Sequence, residues 1–437
     1  MKTMQFKTTQ FLVILFTSFV AISANAAVKI SHWQTNSGSE VYFVENHDLP
    51  IIDLSVAFPA GSARDTKATS GVAGVTRYMM TLGADGMSEE AITNAFADIG
   101  ANLGGELDVD RSAFKLRTLT SESAKALVTF NKILHKPDFP QAVLGREKTR
   151  IVAGLKEAET QPEAISNKAF MQALYPNHPY GMDESGEVET ITAMKVDDLK
   201  AFYNTFYTAK SAVIALIGDM TEAQARTIAE DVAKGLPQTS AVPKIAEVTY
   251  PTAAISQNIN HPASQAHIVL GYPGIKRGDA DYFPLYVGNY VLGGGGFVSR
   301  LTEEVREKRG LVYSVYSYFM PMAELGPFQI GLQTKKEQAD EALKVVNQTL
   351  AKFMQNGVTE KELKAAKDNI IGGFPMRIDS NAKILDYLSL IGFHKLPLTY
   401  LEDFNKQVAK VTAKQIKDAF QRRIKPQDFV SVTVGAQ

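Results

Sequence analysis

No cysteine occurs among the 437 residues, which excludes disulfide frameworks, thiolate metal sites and cysteine nucleophiles. Neither charge is in excess: 46 basic against 47 acidic side chains leave a formal net charge of −1. With no basic block to track a phosphate backbone or an anionic lipid surface, neither nucleic acid nor membrane is an expected partner of the mature chain. Histidine is scarce as well. The seven are His32, His47, His135, His178, His261, His267 and His394. No two stand three to five residues apart on an expected helix, the spacing that puts two imidazoles on one helical face. No G-x-S-x-G elbow and no phosphate loop ending in G-K-[ST] is present, and the glycine run Gly293–Gly296 reads as a flexible connection between helices.

What is present begins with the layout of a secretory signal. Lys2 and Lys7 supply positive charge, residues 11–23 are apolar, and Ala24-Asn25-Ala26 is an A-x-A cleavage site. Residues 1–26 are expected to be removed, leaving a mature chain that starts at Ala27. Export without a lipidation cysteine points to a periplasmic location in a Gram-negative cell.

A hydrophobic content of 45% over 437 residues exceeds what one compact core holds, and implies two domains of roughly 200 residues each. The Pro/Ser/Thr-rich stretch from Pro237 to Pro251 reads as a linker, placing the domains at residues 27–244 and 245–437. Val41–Val44 and Ile51–Phe58 alternate as strands around the turn Asp48–Pro50, which predicts a hairpin. Helical patterns follow at residues 71–82, 88–99, 121–134, 141–159 and 197–207, then an apolar strand at 211–217. The second half repeats that order, with helices expected at residues 280–292 and 299–308 among others. Val213–Gly218 (VIALIG) and Val430–Gly435 (VSVTVG) are offset by 217 positions, and the strands near Ile51 and Ala266 by 215. So constant an offset signals internal duplication. The expected fold class is α+β: two homologous sandwich domains, each a largely antiparallel sheet with helices packed on one face.

Two anchors carry a family resemblance. The first is Pro59–Ala63 (PAGSA) followed by Gly71–Ala73 (GVA); the second is Leu292–Leu301 (LGGGGFVSRL) followed by Val305–Ser314 (VREKRGLVYS). Together they resemble the pitrilysin/insulinase family of inverted-motif zinc peptidases, which includes the mitochondrial processing peptidase, over essentially the whole mature chain. In active members the five residues after G-x-A are H-x-x-E-H, where two His bind zinc and the Glu activates water. Here those five are Gly74-Val75-Thr76-Arg77-Tyr78. The family's third ligand, a Glu seven residues beyond another Glu and eight before a Pro, matches the frame of Glu147 and Pro162, and the position itself is Gly154. All four positions are degenerate together, so no metal is expected in this chain.

The resemblance implies more for the second half. Family members carry an Arg and a Tyr seven residues apart that reach across the chamber to the zinc site, and here they match Arg306 and Tyr313. A phenol O–H can stabilise the oxyanion of amide hydrolysis, and a guanidinium can hold a neighbouring carbonyl. Residues 100–105 (GANLGG) resemble the family's substrate-pairing edge strand, with Gly104 where Asn is usual and Gly105 after it. Lost zinc positions beside a retained Arg/Tyr pair match the family's heterodimers. The implied partner is a homologous subunit with an intact H-x-x-E-H motif that brings the zinc, and the implied substrate is a peptide. The alternative is a noncatalytic scaffold or peptide-binding protein of the same fold.

Overall fold

The computed structural model describes residues 28–239 and 242–435. The expected signal segment lies outside these residues. The strands are β1 (Ser31–Gln34), β2 (Glu40–Glu45), β3 (Ile51–Phe58), β4 (Gly83–Ala84), β5 (Met87–Ser88), β6 (Asn102–Leu107), β7 (Ser112–Leu119), β8 (Val213–Gly218), β9 (Ile255–Ile259), β10 (Gln265–Pro273), β11 (Val312–Phe319), β12 (Pro327–Lys335) and β13 (Val430–Val434). Helices α1 (Val72–Met80), α2 (Glu89–Ala97), α3 (Ser123–His135), α4 (Gln141–Ala158), α5 (Pro162–Leu174), α6 (Val188–Ala193), α7 (Val196–Phe206) and α8 (Glu222–Lys234) belong to the first half. Helices α9 (Tyr282–Asn289), α10 (Ala339–Asn356), α11 (Glu360–Gly373), α12 (Asn381–Phe393), α13 (Tyr400–Lys410) and α14 (Ala413–Arg423) belong to the second.

One sheet runs β1-β2-β8-β3-β7-β6 and the other β11-β12-β10-β13-β9, while β4 and β5 pair by themselves. Taken from β2, the first sheet is β2-β8-β3-β7-β6; taken from β9, the second is β9-β13-β10-β12-β11. In each the first pair is parallel and the remaining three are antiparallel. The two sheets therefore match strand for strand, as a duplication requires, and both are largely antiparallel.

The hairpin expected from β2 and β3 does not form, because β8 lies between them. All six residues of β8 are buried, and a strand apolar on both faces is stable only inside a sheet, flanked on each edge. Its alternation shows where each face goes. Ile214 and Leu216 join Ile52, Leu54, Val56 and Phe58 in the core under the first half's helices. Val213, Ala215 and Ile217 face the opposite way, into a core built from the second half. The covering element there is α12, which packs on β8, β3 and β2.

The reverse holds as well. Helix α5 crosses to the second sheet and packs on β10 and β13, where Phe170 and Leu174 meet Val269, Val430, Val432 and Val434. Each half lends one helix to the other's sheet. The helices of each half pack on one face of its own sheet, as expected, and the lent helix covers part of the other. At about 1.5–3 kcal/mol for each fully buried aliphatic side chain, this exchange couples the halves strongly. Polar links reinforce it: the Ala323 N–H donates to Asp110 Oδ2 at 2.7 Å, the Glu324 N–H donates to Tyr180 Oη at 3.0 Å, and Tyr175 Oη donates to the Leu325 carbonyl at 2.9 Å.

Candidate functional site

Helix α1 starts at Gly71, whose φ of +90° is left-handed, a conformation that glycine adopts without steric cost. Asp65 holds that start, accepting from the N–H of Gly71 at 2.7 Å and of Ala73 at 3.0 Å. Burial pushes the Asp65 carboxyl up to about 7, against the pull of the two N–H donors. One turn further on are the positions of the expected metal motif. Gly74 is open enough that a Cβ there would make ordinary contacts, 3.6 Å from Leu107 Cδ2 and 3.7 Å from the Glu184 carbonyl oxygen.

Arg77 does not project into open space as a free cation. Its Nε and Nη2 donate to the Ala113 carbonyl at 3.3 and 3.2 Å, and the guanidinium lies 5.1 Å from the centre of the Phe114 ring. Gly105 on β6 faces the same carbonyl: its φ is +133°, and a Cβ there would stand closest to the Ala113 oxygen and 2.6 Å from Arg77 Nη2. Gly105 is required by its positive φ and by the Ala113 backbone, the same carbonyl that Arg77 holds. Gly104, on the outermost strand of the first sheet, pairs with Lys115 on β7, so among the described residues the far edge of β6 has no strand beside it.

Tyr78 and Gly154 complete the degenerate set. The Arg150 guanidinium lies over the Tyr78 ring, 5.1 Å from its centre. Arg150 Nε also donates to Glu147 Oε2 at 2.8 Å, and Arg146 Nε donates to Glu147 Oε1 at 2.7 Å. Burial opposes ionisation of Glu147, but the two guanidiniums hold its carboxyl below the usual carboxylate range. Gly154, on the exposed side of α4, has nothing within 4 Å of a Cβ. A zinc ion does not fit this set. Two glycines offer no donor atom, Tyr78 is covered by a cation, and a second cation sits on the same helix. Among the described residues no group of three or more His, Asp or Glu is placed to hold a metal.

The second half presents a different surface. Arg306 lies on a π-helical turn, Thr302–Glu307, where a continuous α-helix was expected over residues 299–308. Such turns concentrate at functional sites because they displace one side chain from regular spacing. A second π-helical turn, Tyr290–Gly294, ends α9 at the glycine run. The Arg306 guanidinium lies 4.9 Å from the centre of the Phe297 ring, and its ion pair with neighbouring Glu307 is long, at 3.8 Å.

Tyr313 falls at a break in register: Val312 pairs with Thr334 and Ser314 with Gln333, so Tyr313 is an extra residue on β11. A bulge of this kind re-aims a side chain, and Tyr313 is 73% exposed. Among the described residues its hydroxyl makes no hydrogen bond. Phe297 went unrecognised in the sequence, although a lone aromatic directly after four glycines is a signal that a side chain is being presented. Arg300 was also missed. Its Nε and Nη2 grip Glu362 at 2.7 Å each, Nη2 reaches the Gly357 carbonyl at 2.9 Å, and its guanidinium lies over Phe353. That grip fixes the start of the turn carrying Arg306.

Residues 41–184 match the family described as Insulinase (Peptidase family M16), and residues 193–370 match the Peptidase M16 inactive domain. The crystal structure of a peptidase M16 inactive domain from Pseudomonas fluorescens is 38% identical and superposes with a TM-score of 0.90, covering 93% of this chain and 98% of that one. A Helicobacter pylori protein named Non-peptidase homolog YmxG is 27% identical over 97% of each chain. The Mitochondrial-processing peptidase subunit beta of Blastocladiella emersonii is 21% identical over 91% of this chain and 87% of its own. The chain belongs to peptidase family M16, as a catalytically incomplete member.

Proposed function

We propose that this chain is the zinc-free subunit of a heterodimeric periplasmic peptidase, lending Arg306 and Tyr313 to the active site of a homologous subunit that carries an intact H-x-x-E-H motif and the zinc. The observation that carries this reading is Tyr313. A strand bulge sets a tyrosine out at 73% exposure, seven residues from an arginine that no close carboxylate neutralises. Burying a phenol stabilises a fold; presenting one beside a cation suits a substrate.

In this arrangement the Tyr313 hydroxyl donates a hydrogen bond to the oxyanion that forms when the substrate carbonyl is attacked. Arg306, stacked on Phe297 and only loosely paired with Glu307, donates to an adjacent substrate carbonyl. The degenerate half keeps its fold by replacing ligands with packing: Arg77 on Ala113, and Arg150 between Tyr78 and Glu147. The test is reconstitution. Each subunit alone should be inactive on peptides, and the mixture should cleave them, with zinc in the partner only. A mixture no more active than the zinc-bearing subunit alone supports a noncatalytic scaffold instead.

A further inference from the structure

A cavity of about 640 Å³ opens beside β11 and the glycine run Gly293–Gly296, and its walls include Arg277, Arg377, Tyr286, Tyr290, Tyr316 and Tyr318. No carboxylate lines it. The aromatic walls are ordered in pairs: Tyr316 and Tyr318 stack with centroids 5.9 Å apart, and Tyr286 stacks on Tyr282 at 5.7 Å with the planes 7° apart. Arg377 lies 5.9 Å from the centre of the Tyr286 ring.

The two arginines lack counter-charges. Among the described residues neither makes a salt bridge within 4 Å, and Arg277 Nε is buried with no hydrogen-bond partner. The nearby acids are engaged elsewhere. Asp279 and Asp281 are taken by Arg422 and Arg423, Asp379 by Lys383, and Asp403, which with Asp279 lines a smaller neighbouring cavity beyond Arg277, by Lys406. His394 adds no negative charge; burial, then Arg277 and Arg111, hold its imidazole neutral, with its pKa down at about 3. A buried donor without an acceptor is rare in a folded protein unless a ligand or water completes it. Two guanidinium forks match the two oxygens of a carboxylate, and stacked tyrosine faces match an apolar or aromatic body.

We propose that this cavity binds a carboxylate carried on an apolar or aromatic body, with Arg277 and Arg377 on the carboxylate and the tyrosine pairs on the body. A peptide ending in an aromatic residue and a free aromatic acid share that chemistry. The volume accommodates either, being within the range of roughly 300–1,000 Å³ usual for ligand sites.

Calorimetric titration of the mature chain tests this with three probes: an N-acetylated tripeptide ending in phenylalanine with a free carboxylate, the same tripeptide as its C-terminal amide, and 3-phenylpropionate. The free acid should bind, and the amide should bind weaker by about tenfold or more, the loss expected for one charge-assisted contact. Arg277→Gln and Arg377→Gln should each weaken the acid by a similar factor, with melting temperature and gel-filtration position unchanged for the exposed Arg377 variant. Binding of 3-phenylpropionate as tightly as the peptide acid assigns the site to small aromatic acids; tighter binding of the peptide assigns it to peptide ends. Equal binding of acid and amide, no binding of either acid, or full affinity in the Arg377 variant overturns the proposal.

Discussion

The guanidinium of Arg150 lies 5.1 Å from the centre of the Tyr78 ring, joining α4 to α1 at one of the expected metal-motif positions. The same guanidinium satisfies Glu147, whose side chain is only 4% exposed. Arg150→Ala should therefore lower stability by about 1–2 kcal/mol, combining a lost cation–π contact with a buried carboxylate left to Arg146 alone. Tyr78→Phe retains the ring and should change stability by less than about 0.5 kcal/mol. Urea unfolding of both variants checks this, and an unchanged midpoint for Arg150→Ala would show that the contact holds nothing.

Zinc content follows from the same residues. The purified chain should hold far less than one zinc per molecule by elemental analysis, since Gly74, Tyr78 and Gly154 present no ligand set. Restoring Gly74→His, Arg77→Glu, Tyr78→His and Gly154→Glu together should create metal affinity without useful peptide cleavage. The new Glu would face the Ala113 carbonyl that Arg77 now holds, and the supporting contacts of a zinc site would still be absent. Stoichiometric zinc in the wild-type chain, or rapid peptide cleavage by the restored chain alone, would contradict this.

The helix exchange predicts cooperative unfolding. At Gly392 on α12 a Cβ would stand 2.5 Å from Val213 Cγ1 and 2.6 Å from Tyr42 Cε2, so the helix approaches the first sheet closely only because the residue is glycine. Gly392→Ala should cost about 1–3 kcal/mol by overpacking. Because α12 belongs to one half and the sheet to the other, the whole melting transition should shift as one. A second transition that stays in place would show the halves to be independent.

Much of this architecture was legible in the sequence, and the exceptions have physical reasons. The repeat of VIALIG as VSVTVG, at nearly the same offset as the strands near Ile51 and Ala266, announced two matching sheets. The partner of β3 was not legible, since strand order depends on which long-range pairing buries β8 and local turn chemistry does not report it. Helix α5 escaped notice because its buried stripe is Ser166, Phe170 and Leu174, with a serine in place of one apolar signal. At the candidate site, residue identities alone showed that the zinc positions were lost. That Arg77 and Gly105 meet at the Ala113 carbonyl needed the register of β6 on β7.

Acid should act through Glu362. Its pairing with Arg300 outweighs the opposing effect of partial burial and lowers its carboxyl to about 2. A carboxylate depressed in the folded state contributes stability above its unfolded value of about 4.3, and that contribution is lost as pH falls toward about 2. Glu362→Gln should be less stable than wild type at neutral pH, by about 1–2 kcal/mol for a partly exposed bidentate pair. The difference should shrink steadily between about pH 5 and pH 2. Unfolding midpoints across that window check it; a difference independent of pH would assign the loss to shape and not to charge. Turnover by the complex should fall in this variant too, since Arg300 anchors the turn that carries Arg306.

Steady-state kinetics of the reconstituted complex with Tyr313→Phe and Arg306→Ala test the shared active site most directly. Tyr313→Phe deletes one exposed hydroxyl, so melting temperature and subunit association should hold while kcat falls by about 10²–10³, the usual loss for one oxyanion donor. Arg306→Ala should lower kcat/KM mainly through a higher KM, because a cation on a substrate carbonyl acts in the ground state as well. Variants that fold, assemble and cleave peptides at the wild-type rate would contradict the account and leave the chain a scaffold.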